Sequence, residues 1–538
     1  MNGKDWINRL GAGLLAGLAA ALLMTLVILL LRFLFGVATP SELVGDRIAP
    51  LLGVNKFLEL LGRFGGYNQL KQLGVSSVIA GQIIVGLIGG LALALLSAPT
   101  AARPNDSANS RRGVVFVTCL VGALWLLSII LLWPTLGTHY KGLPLGPATF
   151  TTVIALLFSY TFYGVALLYF FGLLTKSTTS GRTASAGAPK ARRALLVGGV
   201  GAMAAVGCGL LLRRLYNLAA FSYDGLRYSG ADVQAITPND RFYVVTKNTI
   251  DPDVAPVLWR LEITGLVSQP QTYRYEDLQK LPATTQQTTL RCISNGVGDG
   301  LMSNAIWKGV PLRTLLEAAN PRAGVVEARL YGVDGYTDTI AFAKAMEPST
   351  LVVYEMNGEP LPMRHGYPVR VIVPGLFGEK SVKWVTRIEL VDHDVKGFYE
   401  QQGWGPNFVV PTTARFDQPA DRQRLNQAQA ASGVRLKGVA HAGDRGVKQV
   451  EVSLDGGGSW QVAKIDFASS PLAWVLWSYD WKPARPGDYR LVVRATDGQG
   501  EVQTAEERGI VPEGATGYHR ISVGVEAPAV ASTPRSNE

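Results

Sequence analysis

Five uncharged apolar stretches in the first 212 residues constrain the fold of this chain more than any other feature. Each stretch lacks Asp, Glu, Lys and Arg, and each is close to the ~20 residues that a helix needs to cross a bilayer. They cover residues 10–31, 75–96, 114–133, 150–174 and 194–212. Because five buried helices of a soluble protein would need an unusually large core, the pattern predicts a membrane region over residues 1–212 with five transmembrane helices.

The positive charges of the loops predict the orientation of these helices. If the N-terminus is cytoplasmic, the inner segments 1–9, 97–113 and 175–193 carry ten Lys and Arg in 45 residues, whereas the outer segments 32–74 and 134–149 carry six in 59. Five spans then place all residues after 212 outside the cytoplasm. The net charge of +10 therefore reflects topology, and we expect no nucleic-acid partner.

A pair of arginines precedes the fifth apolar stretch. Arg192 and Arg193 are followed by a Gly- and Ala-rich run of modest hydrophobicity, which resembles a twin-arginine export signal placed inside the chain. Twin-arginine export carries folded proteins, often with a cofactor already inserted. The alternative is a membrane segment that is oriented by two positive charges and has no signal function.

The remaining residues have the polar composition of water-facing domains. Residues 213–240 are predicted to form a linker, and residues 241–412 an α+β domain with helices over Tyr275–Leu281 and Leu312–Ala319 and a strand over Phe242–Thr246. Between 415 and 526, short strand-like runs alternate with Gly-, Asp- and Pro-containing turns, which predicts an all-β sandwich. Residues 527–538 are predicted to be a disordered tail.

Cys292 is the one cysteine outside the predicted membrane region, since Cys119 and Cys208 lie in apolar stretches. A lone cysteine is either a small buried apolar residue or a thiolate that acts as a ligand or nucleophile. Cys292 ends a predicted strand and enters a loop with Asn295, and its neighbour Arg291 favours a thiolate. These residues leave both interpretations open.

Several motifs in the water-facing half resemble those of the sulfite oxidase family of molybdopterin-dependent oxidoreductases. The first group, in chain order, is Leu290-Arg-Cys292-Ile-Ser-Asn295, Ile306-Trp307-Lys-Gly309, Glu355-Met-Asn357-Gly358, His365-Gly366-Tyr-Pro368 and Val382-Lys383-Trp384. Further on, Val450–Trp460 and Tyr518-His519-Arg520 resemble the family's immunoglobulin-like dimerisation domain. The resemblance covers roughly residues 235–525 and does not include the membrane region.

The resemblance implies a Mo-molybdopterin cofactor and assigns residues to it. Cys292 occupies the position of the thiolate ligand of molybdenum, as a soft metal prefers. The predicted cofactor-binding residues are Val245, Thr246, Lys247, Asn248, Thr249, Asp334, His365, Arg370, Ser381, Val382 and Lys383. Phosphate favours Arg, Lys and backbone donors, which agrees with the placement of Arg370 and Lys383.

The predicted substrate pocket differs from the family's pattern of several arginines and a tyrosine. Arg508 keeps one arginine, Lys247 replaces another, Val297 replaces a third, and Trp404 stands near the tyrosine position. We therefore name Cys292, Arg508, Lys247 and Trp404 as candidate catalytic residues. The substrate stays open between a small anion such as sulfite and a neutral oxide such as a sulfoxide.

The sequence thus predicts a multi-domain protein, in which transmembrane helices precede an α+β molybdopterin domain and an immunoglobulin-like sandwich. The predicted function is oxygen-atom transfer with two electrons by a multi-pass protein of the cell membrane, with its catalytic domain extracytoplasmic. Electrons are expected to pass to a separate carrier such as a cytochrome, and the C-terminal domain implies a homodimer. A non-enzymatic, surface-exposed binding module is the competing hypothesis.

Overall fold

The computed structural model of the protein describes residues 3–64, 67–97, 106–175, 188–217, 227–248 and 250–527. Thr249 and residues 528–538, which include nearly all of the predicted tail, lie outside the described residues. The chain divides into two units. The first contains the described residues up to 217 with Thr246–Arg260 and Val333–Gly335, and the second contains the others.

Helices build the first unit. They are α1 Gly3–Phe35, α2 Pro40–Ile48, α3 Val54–Arg63, α4 Tyr67–Leu96, α5 Asp106–Leu132, α6 Leu145–Thr175 and α7 Ala188–Asn217. By length and composition, α1, α4, α5, α6 and α7 are able to cross a membrane. Each is longer than its uncharged stretch, because polar and charged residues at the ends of the stretches continue the helix.

Helix α1 packs against α4, α6 and α7. Gly13 and Gly17 of α1 meet Gly86 and Gly90 of α4 so closely that a Cβ on Gly13, Gly17 or Gly90 would overlap the backbone of the facing helix. Glycines four residues apart allow such close approach between membrane helices. This contact fixes α1 against α4.

Two short segments from the water-facing sequence belong to the first unit. The backbone N–H of Ala255 donates to the Lys141 carbonyl over 3.1 Å, and that of His139 donates to the Val333 carbonyl over 3.0 Å. Residues 246–260 therefore pair with the loop between α5 and α6, although the sequence predicts that the catalytic domain begins at residue 241. Contacts over more than a hundred residues of chain separation have no signature in local composition.

Two sheets form the α+β part of the second unit. Their strands are β1 Leu261–Gly265, β2 Gln271–Tyr273, β3 Thr284–Arg291, β4 Met302–Pro311, β5 Glu327–Gly332, β6 Thr337–Ala341, β7 Leu351–Met356, β8 Glu359–Pro360, β9 Arg370–Ile372 and β10 Val385–Val391. One sheet has the order β2-β1-β10-β5-β6, and the other has the order β3-β4-β7-β8 with β9 paired to β7. This part is α+β, as the sequence predicts.

Short helices connect these strands. They are α8 Tyr275–Lys280, α9 Leu312–Ala319, α10 Phe342–Ala345 and α11 Phe398–Gln401. The helices α8 and α9 confirm the two predicted from sequence. The predicted strand Phe242–Thr246 is wrong, because these residues form no strand. Its apolar side chains reflect burial instead, since Phe242 and Tyr243 lie in the core with Trp307.

A β-sandwich completes the second unit. It contains α12 Gln427–Ser432 and the strands β11 Thr413–Gln418, β12 Gln423–Leu425, β13 Val434–His441, β14 Val447–Ser453, β15 Gln461–Val462, β16 Lys464–Phe467, β17 Val475–Trp481, β18 Gly487–Asp497 and β19 His519–Val525. The sheets have the orders β11-β13-β17-β16 and β12-β19-β18-β14-β15. Leu436, Val452, Trp477 and Leu491 fill the core between them, which confirms the predicted sandwich.

Candidate functional site

Cys292 directly follows β3 and is 6% exposed. Its backbone N–H donates to the Leu301 carbonyl over 3.0 Å, which continues the β3–β4 pairing to the end of the strand. The thiol sulfur lies 3.1 Å from the Ser294 hydroxyl oxygen. Burial, with a contribution from Glu379, raises the pKa of Cys292 to about 11. Since metals bind the thiolate, metal binding at this sulfur releases a proton.

Arg291 connects the Cys292 strand to two other parts of the second unit. Its guanidinium donates to the carbonyls of Pro411 over 3.3 Å and Ala515 over 3.0 Å. The side chain is fully buried, and burial lowers its pKa to about 10. Arg291 thus fixes the position of Cys292 relative to the sandwich, and its charge faces carbonyl oxygens.

Tyr243 is a buried neighbour of Cys292 that sequence reasoning missed. Both residues belong to one core cluster, and a Cβ on Gly378 would overlap the Tyr243 hydroxyl. Burial raises the pKa of Tyr243, the charges of Cys292 and Glu379 raise it further, and Arg370 opposes them. Tyr243 therefore lies within electrostatic range of both Cys292 and Arg370. The aromatic pair Phe242-Tyr243 is the available sequence signal, but it indicates only a core.

Four of the residues predicted to bind the cofactor come together in the second unit, namely His365, Arg370, Ser381 and Lys383. The Arg370 guanidinium donates to the carbonyls of His365 over 3.1 Å and Ser381 over 2.9 Å. Gly366 lies between them with a φ of +113°, and a Cβ there would be 3.0 Å from Arg370 and 3.2 Å from Lys383. These residues are called the Arg370 cradle below.

The Arg370 cradle has the donors that a phosphate requires. Arg370 is 4% exposed, and its Nε has no hydrogen-bond partner among the described residues. Lys383 adds a second cation, which donates to the Arg364 carbonyl over 3.1 Å. An unsatisfied buried donor on an arginine beside a lysine fits a bound anionic group. The residues present thus fit the phosphate of a pterin cofactor.

His365 and Val382 support the cradle from within the core. His365 Nε2 lies 2.9 Å from the Asn239 carbonyl, so this nitrogen carries the proton, and burial lowers the pKa of the ring to about 3. The Val382 carbonyl accepts from the Val371 N–H over 2.9 Å. His365 is therefore neutral near pH 7 and places no extra charge beside Arg370.

The structure places four other predicted cofactor-binding residues in the first unit, namely Thr246, Lys247, Asn248 and Asp334. Val245 instead belongs to the second unit, where it packs in the core with Cys292. Lys247 forms an ion pair with Asp46 over 2.6 Å and donates to the Asp334 carbonyl over 2.8 Å. Asn248 donates to the Asp334 carboxylate over 2.7 Å. Thr246 donates to a carboxylate as well, that of Asp251, over 3.3 Å.

The charge of Lys247 is therefore compensated inside the first unit. Its side chain is 10% exposed. Burial lowers the pKa of Lys247, but the charges of Asp46 and Asp334 outweigh that effect, and the net pKa is raised. Lys247 stays protonated, with its ammonium held by Asp46.

The loops that carry Trp404 and Arg508 contact each other. The N–H of Gly405 donates to the Pro512 carbonyl over 2.9 Å, and Trp404 itself is 6% exposed. The Arg508 guanidinium pairs with Glu513 over 3.1 Å and donates to the Gly514 carbonyl over 3.1 Å. Arg508 is thus also compensated by a carboxylate, in a turn that contacts the loop after Trp404.

Cys292 has few companions that could share a metal. Within the part of the chain that the structure describes, no group of three or more His, Cys, Asp and Glu side chains is arranged to hold a metal ion.

Family models match most of the second unit. Residues 248–399 match the model of the oxidoreductase molybdopterin binding domain, and residues 408–526 match that of the Mo-co oxidoreductase dimerisation domain. The molybdopterin-binding domain, together with the relatives below, implies a Mo-molybdopterin cofactor. The all-β sandwich corresponds to the dimerisation model.

Curated relatives and a solved structure agree with these matches. Human mitochondrial sulfite oxidase is 32% identical over 317 residues, which cover 50% of this chain and 57% of the relative. Arabidopsis thaliana sulfite oxidase is 27% identical, with 53% of this chain and 87% of the relative covered. The sulfane dehydrogenase SoxCD from Paracoccus pantotrophus has a TM-score of 0.50 and 26% identity, covering 55% of this chain and 85% of that one.

These matches leave part of each chain uncovered. The chain spans 57% of the length of the mammalian sulfite oxidases that it matches. About half of this chain is aligned with them.

Proposed function

Because the chain belongs to the sulfite oxidase family of molybdopterin-dependent oxidoreductases, we propose that it is a membrane-anchored enzyme with its catalytic domain outside the cytoplasm. The proposed reaction is the transfer of one oxygen atom with two electrons, for which sulfite oxidation is the nearest family precedent. The observation that carries this proposal is the buried thiol of Cys292 in the same unit as the Arg370 cradle.

The residues of this chain have separate tasks in the proposed reaction. When bound, the cofactor supplies the two-electron chemistry at its metal. Cys292 would hold the metal through its thiolate, and Arg370 and Lys383 would hold the phosphate of the pterin. The backbone carbonyl of His365 accepts a hydrogen bond from Arg370 and holds that side chain in place. The neutral His365 ring adds no charge beside the phosphate. The buried surroundings of Cys292 exclude water and strengthen the interactions with charged groups.

Electron transfer and assembly follow from the same family assignment. The Mo-co dimerisation domain over residues 408–526 supports a homodimer. The two electrons are proposed to leave through a separate carrier such as a cytochrome.

Five further residues named from the sequence stay proposed contacts of the cofactor. They are Thr246, Lys247, Asn248, Thr249 and Asp334.

A neutral oxide such as a sulfoxide is a second candidate substrate. Both cations of the proposed substrate pocket, Arg508 and Lys247, form ion pairs with carboxylates of this chain. A compensated cation attracts an anionic substrate less than an unpaired one. The ion pairs therefore favour a neutral substrate over sulfite.

Replacement of Arg508 distinguishes the two substrates. If an oxyanion binds at its guanidinium, Arg508→Ala removes a charged hydrogen bond of about 1.5–3 kcal/mol, which corresponds to a roughly 10- to 150-fold lower kcat/KM. A neutral sulfoxide would show little change. Steady-state kinetics on sulfite and a sulfoxide measure the difference. Arg520→Ala is the matched control, because Arg520 has a similar exposure of 38% and a similar ion pair with Glu507. Unchanged sulfite kinetics in Arg508→Ala would refute anion binding there.

Reporter fusions test the proposed location. A reporter at the C-terminus should be active outside the cytoplasm, because five spans follow a cytoplasmic N-terminus.

A double substitution tests the export signal. Replacing both Arg192 and Arg193 with Lys keeps the charge that orients the helix but removes the arginine pair. Blocked export is expected if the pair is a twin-arginine signal. Normal export of this variant would exclude the signal, and a cytoplasmic C-terminus would exclude the topology.

A further inference from the structure

The ion-pair partner of Lys247 is Asp46 of α2, which is 201 positions away in the chain. Asp46 Oδ1 accepts a hydrogen bond from Lys247 Nζ over 2.6 Å, and the Asp46 side chain is 17% exposed. The same ammonium donates to the Asp334 carbonyl over 2.8 Å. An ammonium has three N–H donors. Two donors of Lys247 are therefore engaged by this chain, and one of their acceptors is a carboxylate that neutralises the charge.

Helix α2 fixes the position of this carboxylate. Thr39 caps the helix, because its hydroxyl accepts from the Glu42 N–H and the Glu42 carboxylate accepts from the Thr39 N–H over 2.8 Å. Leu43, on the turn before Asp46, is fully buried, and α2 contacts α4. The packing of the membrane region thus holds Asp46 against Lys247, in addition to the ion pair itself.

Other charged and titratable groups of the first unit lie around this pair. They are Glu42 of α2, Arg32 of α1, Lys71 of α4, His139 and Tyr140 of the loop before α6, and Asp334. Arg32 is paired with Glu42 over 3.0 Å, and Lys71 donates to the carbonyls of residues 246 and 248. Burial lowers the pKa of His139 to about 4 and raises the pKa of Tyr140. Both rings are therefore neutral near pH 7.

Asp46 can change its charge near neutral pH. Burial raises the pKa of Asp46 to about 6, against the opposing effect of Lys247. Asp46 Oδ2 and the Thr138 hydroxyl lie 3.7 and 2.5 Å from the point that a Cβ on Gly335 would occupy, and neither has a hydrogen-bond partner among the described residues. Thr138 is 1% exposed. A protonated carboxyl needs an acceptor for its O–H, and the Thr138 hydroxyl is available in the same space.

We propose that Asp46 determines the charge of the substrate at Lys247, because its carboxylate excludes an anion and its neutral carboxyl admits one. An oxyanion at Lys247 would compete with the Asp46 carboxylate for the same ammonium and would be repelled by it. A neutral oxide needs only a hydrogen-bond donor and meets no such repulsion. This inference rests on the proposed function, which assigns Lys247 to the substrate pocket. A residue of the membrane region is then a specificity-determining residue of the enzyme.

Binding of sulfate to the purified, cofactor-loaded full chain in detergent tests the proposal without turnover. Sulfate remains a dianion between about pH 5 and about pH 7, and Lys247 stays protonated because its net pKa is raised. With a pKa of about 6, about one-tenth of Asp46 is neutral at pH 7 and about nine-tenths at pH 5. If only the neutral form admits sulfate, the Kd should be about tenfold lower at pH 5. Isothermal titration calorimetry measures it.

Asp46→Asn makes the side chain neutral at every pH. Its Kd for sulfate at pH 7 should be about tenfold lower than that of the wild type, and it should be the same at pH 5. Asp253→Asn is the matched control, because Asp253 forms an ion pair with Lys141 in the same unit and is 72% exposed. We expect the control to bind sulfate as the wild type does.

A double variant tests where the anion binds. Adding Lys247→Gln to Asp46→Asn should abolish the gain in affinity, and a thermal melt confirms that each variant is folded. Equal affinity of the wild type at pH 5 and pH 7, no gain in a folded Asp46→Asn protein, or a gain that persists without Lys247 would overturn the proposal. The molybdenum content of the same wild-type sample separates this result from the proposed function. Normal molybdenum without an effect of Asp46 contradicts only this inference.

Discussion

Cys292→Ser is expected to abolish turnover while the second unit stays folded. A serine hydroxyl is a hard, weakly acidic ligand that replaces a soft thiolate poorly, and even loss of an outer partner of a metal ligand costs about 10- to 100-fold. We therefore expect a loss of at least about 100-fold in kcat. Serine is smaller than cysteine and fits the site next to Ser294. Steady-state kinetics measure the loss, and a thermal melt measures the fold.

Cys119→Ser is the matched control for this substitution. Cys119 lies on α5 and is exposed, so the same chemical change there should leave turnover as in the wild type. Turnover at the wild-type rate in Cys292→Ser would refute the proposed role of Cys292 as metal ligand.

Arg370→Ala is expected to release the cofactor. A guanidinium–phosphate contact contributes about 1.5–3 kcal/mol, so its loss should weaken cofactor retention roughly 10- to 150-fold. The substitution also leaves the carbonyls of His365 and Ser381 without their donor, which should lower the melting temperature. Arg370→Lys keeps the charge but lacks the planar guanidinium, and we expect it to retain an intermediate amount of cofactor. Pterin fluorescence after acid extraction measures the amount.

Arg313→Ala is the control for this experiment. Arg313 is an exposed arginine on α9, and its replacement should leave the pterin content unchanged. Wild-type pterin content in a folded Arg370→Ala protein would contradict the cradle's proposed role.

The fold could largely be predicted from the sequence, because its signals are local. Uncharged apolar stretches indicate the five long helices, and short runs between turns indicate the sandwich. The limits of the helices could not be predicted from apolarity, since α1 continues through Lys4 and Arg32 at either end of its apolar stretch. A strand could also be predicted wrongly, as at Phe242–Thr246. The apolar residues there are buried but form no strand, so their sequence pattern resembles that of a strand.

The candidate site could be predicted where its residues belong to compact motifs. His365, Arg370, Ser381 and Lys383 are close in the chain and close in the structure. Lys247 shows the limit, because its ion pair with Asp46 joins residues about 200 positions apart and has no local signature. Arg508 is similar, since its sequence position gives no indication that Glu513 neutralises it. The ion pairs of Lys247 and Arg508 affect whether the substrate is an anion or a neutral oxide, and only the structure shows these pairs.

The molybdenum content of the purified full chain tests the central claim most directly. Inductively coupled plasma mass spectrometry on protein from a host that makes molybdopterin should give molybdenum in a 1:1 ratio to the chain, with an equal amount of pterin on extraction. Cys292→Ser and Arg370→Ala, prepared in parallel, should each lower one or both of these contents. A folded wild-type protein without molybdenum and without pterin, from a host that loads another enzyme of this family, would contradict the account.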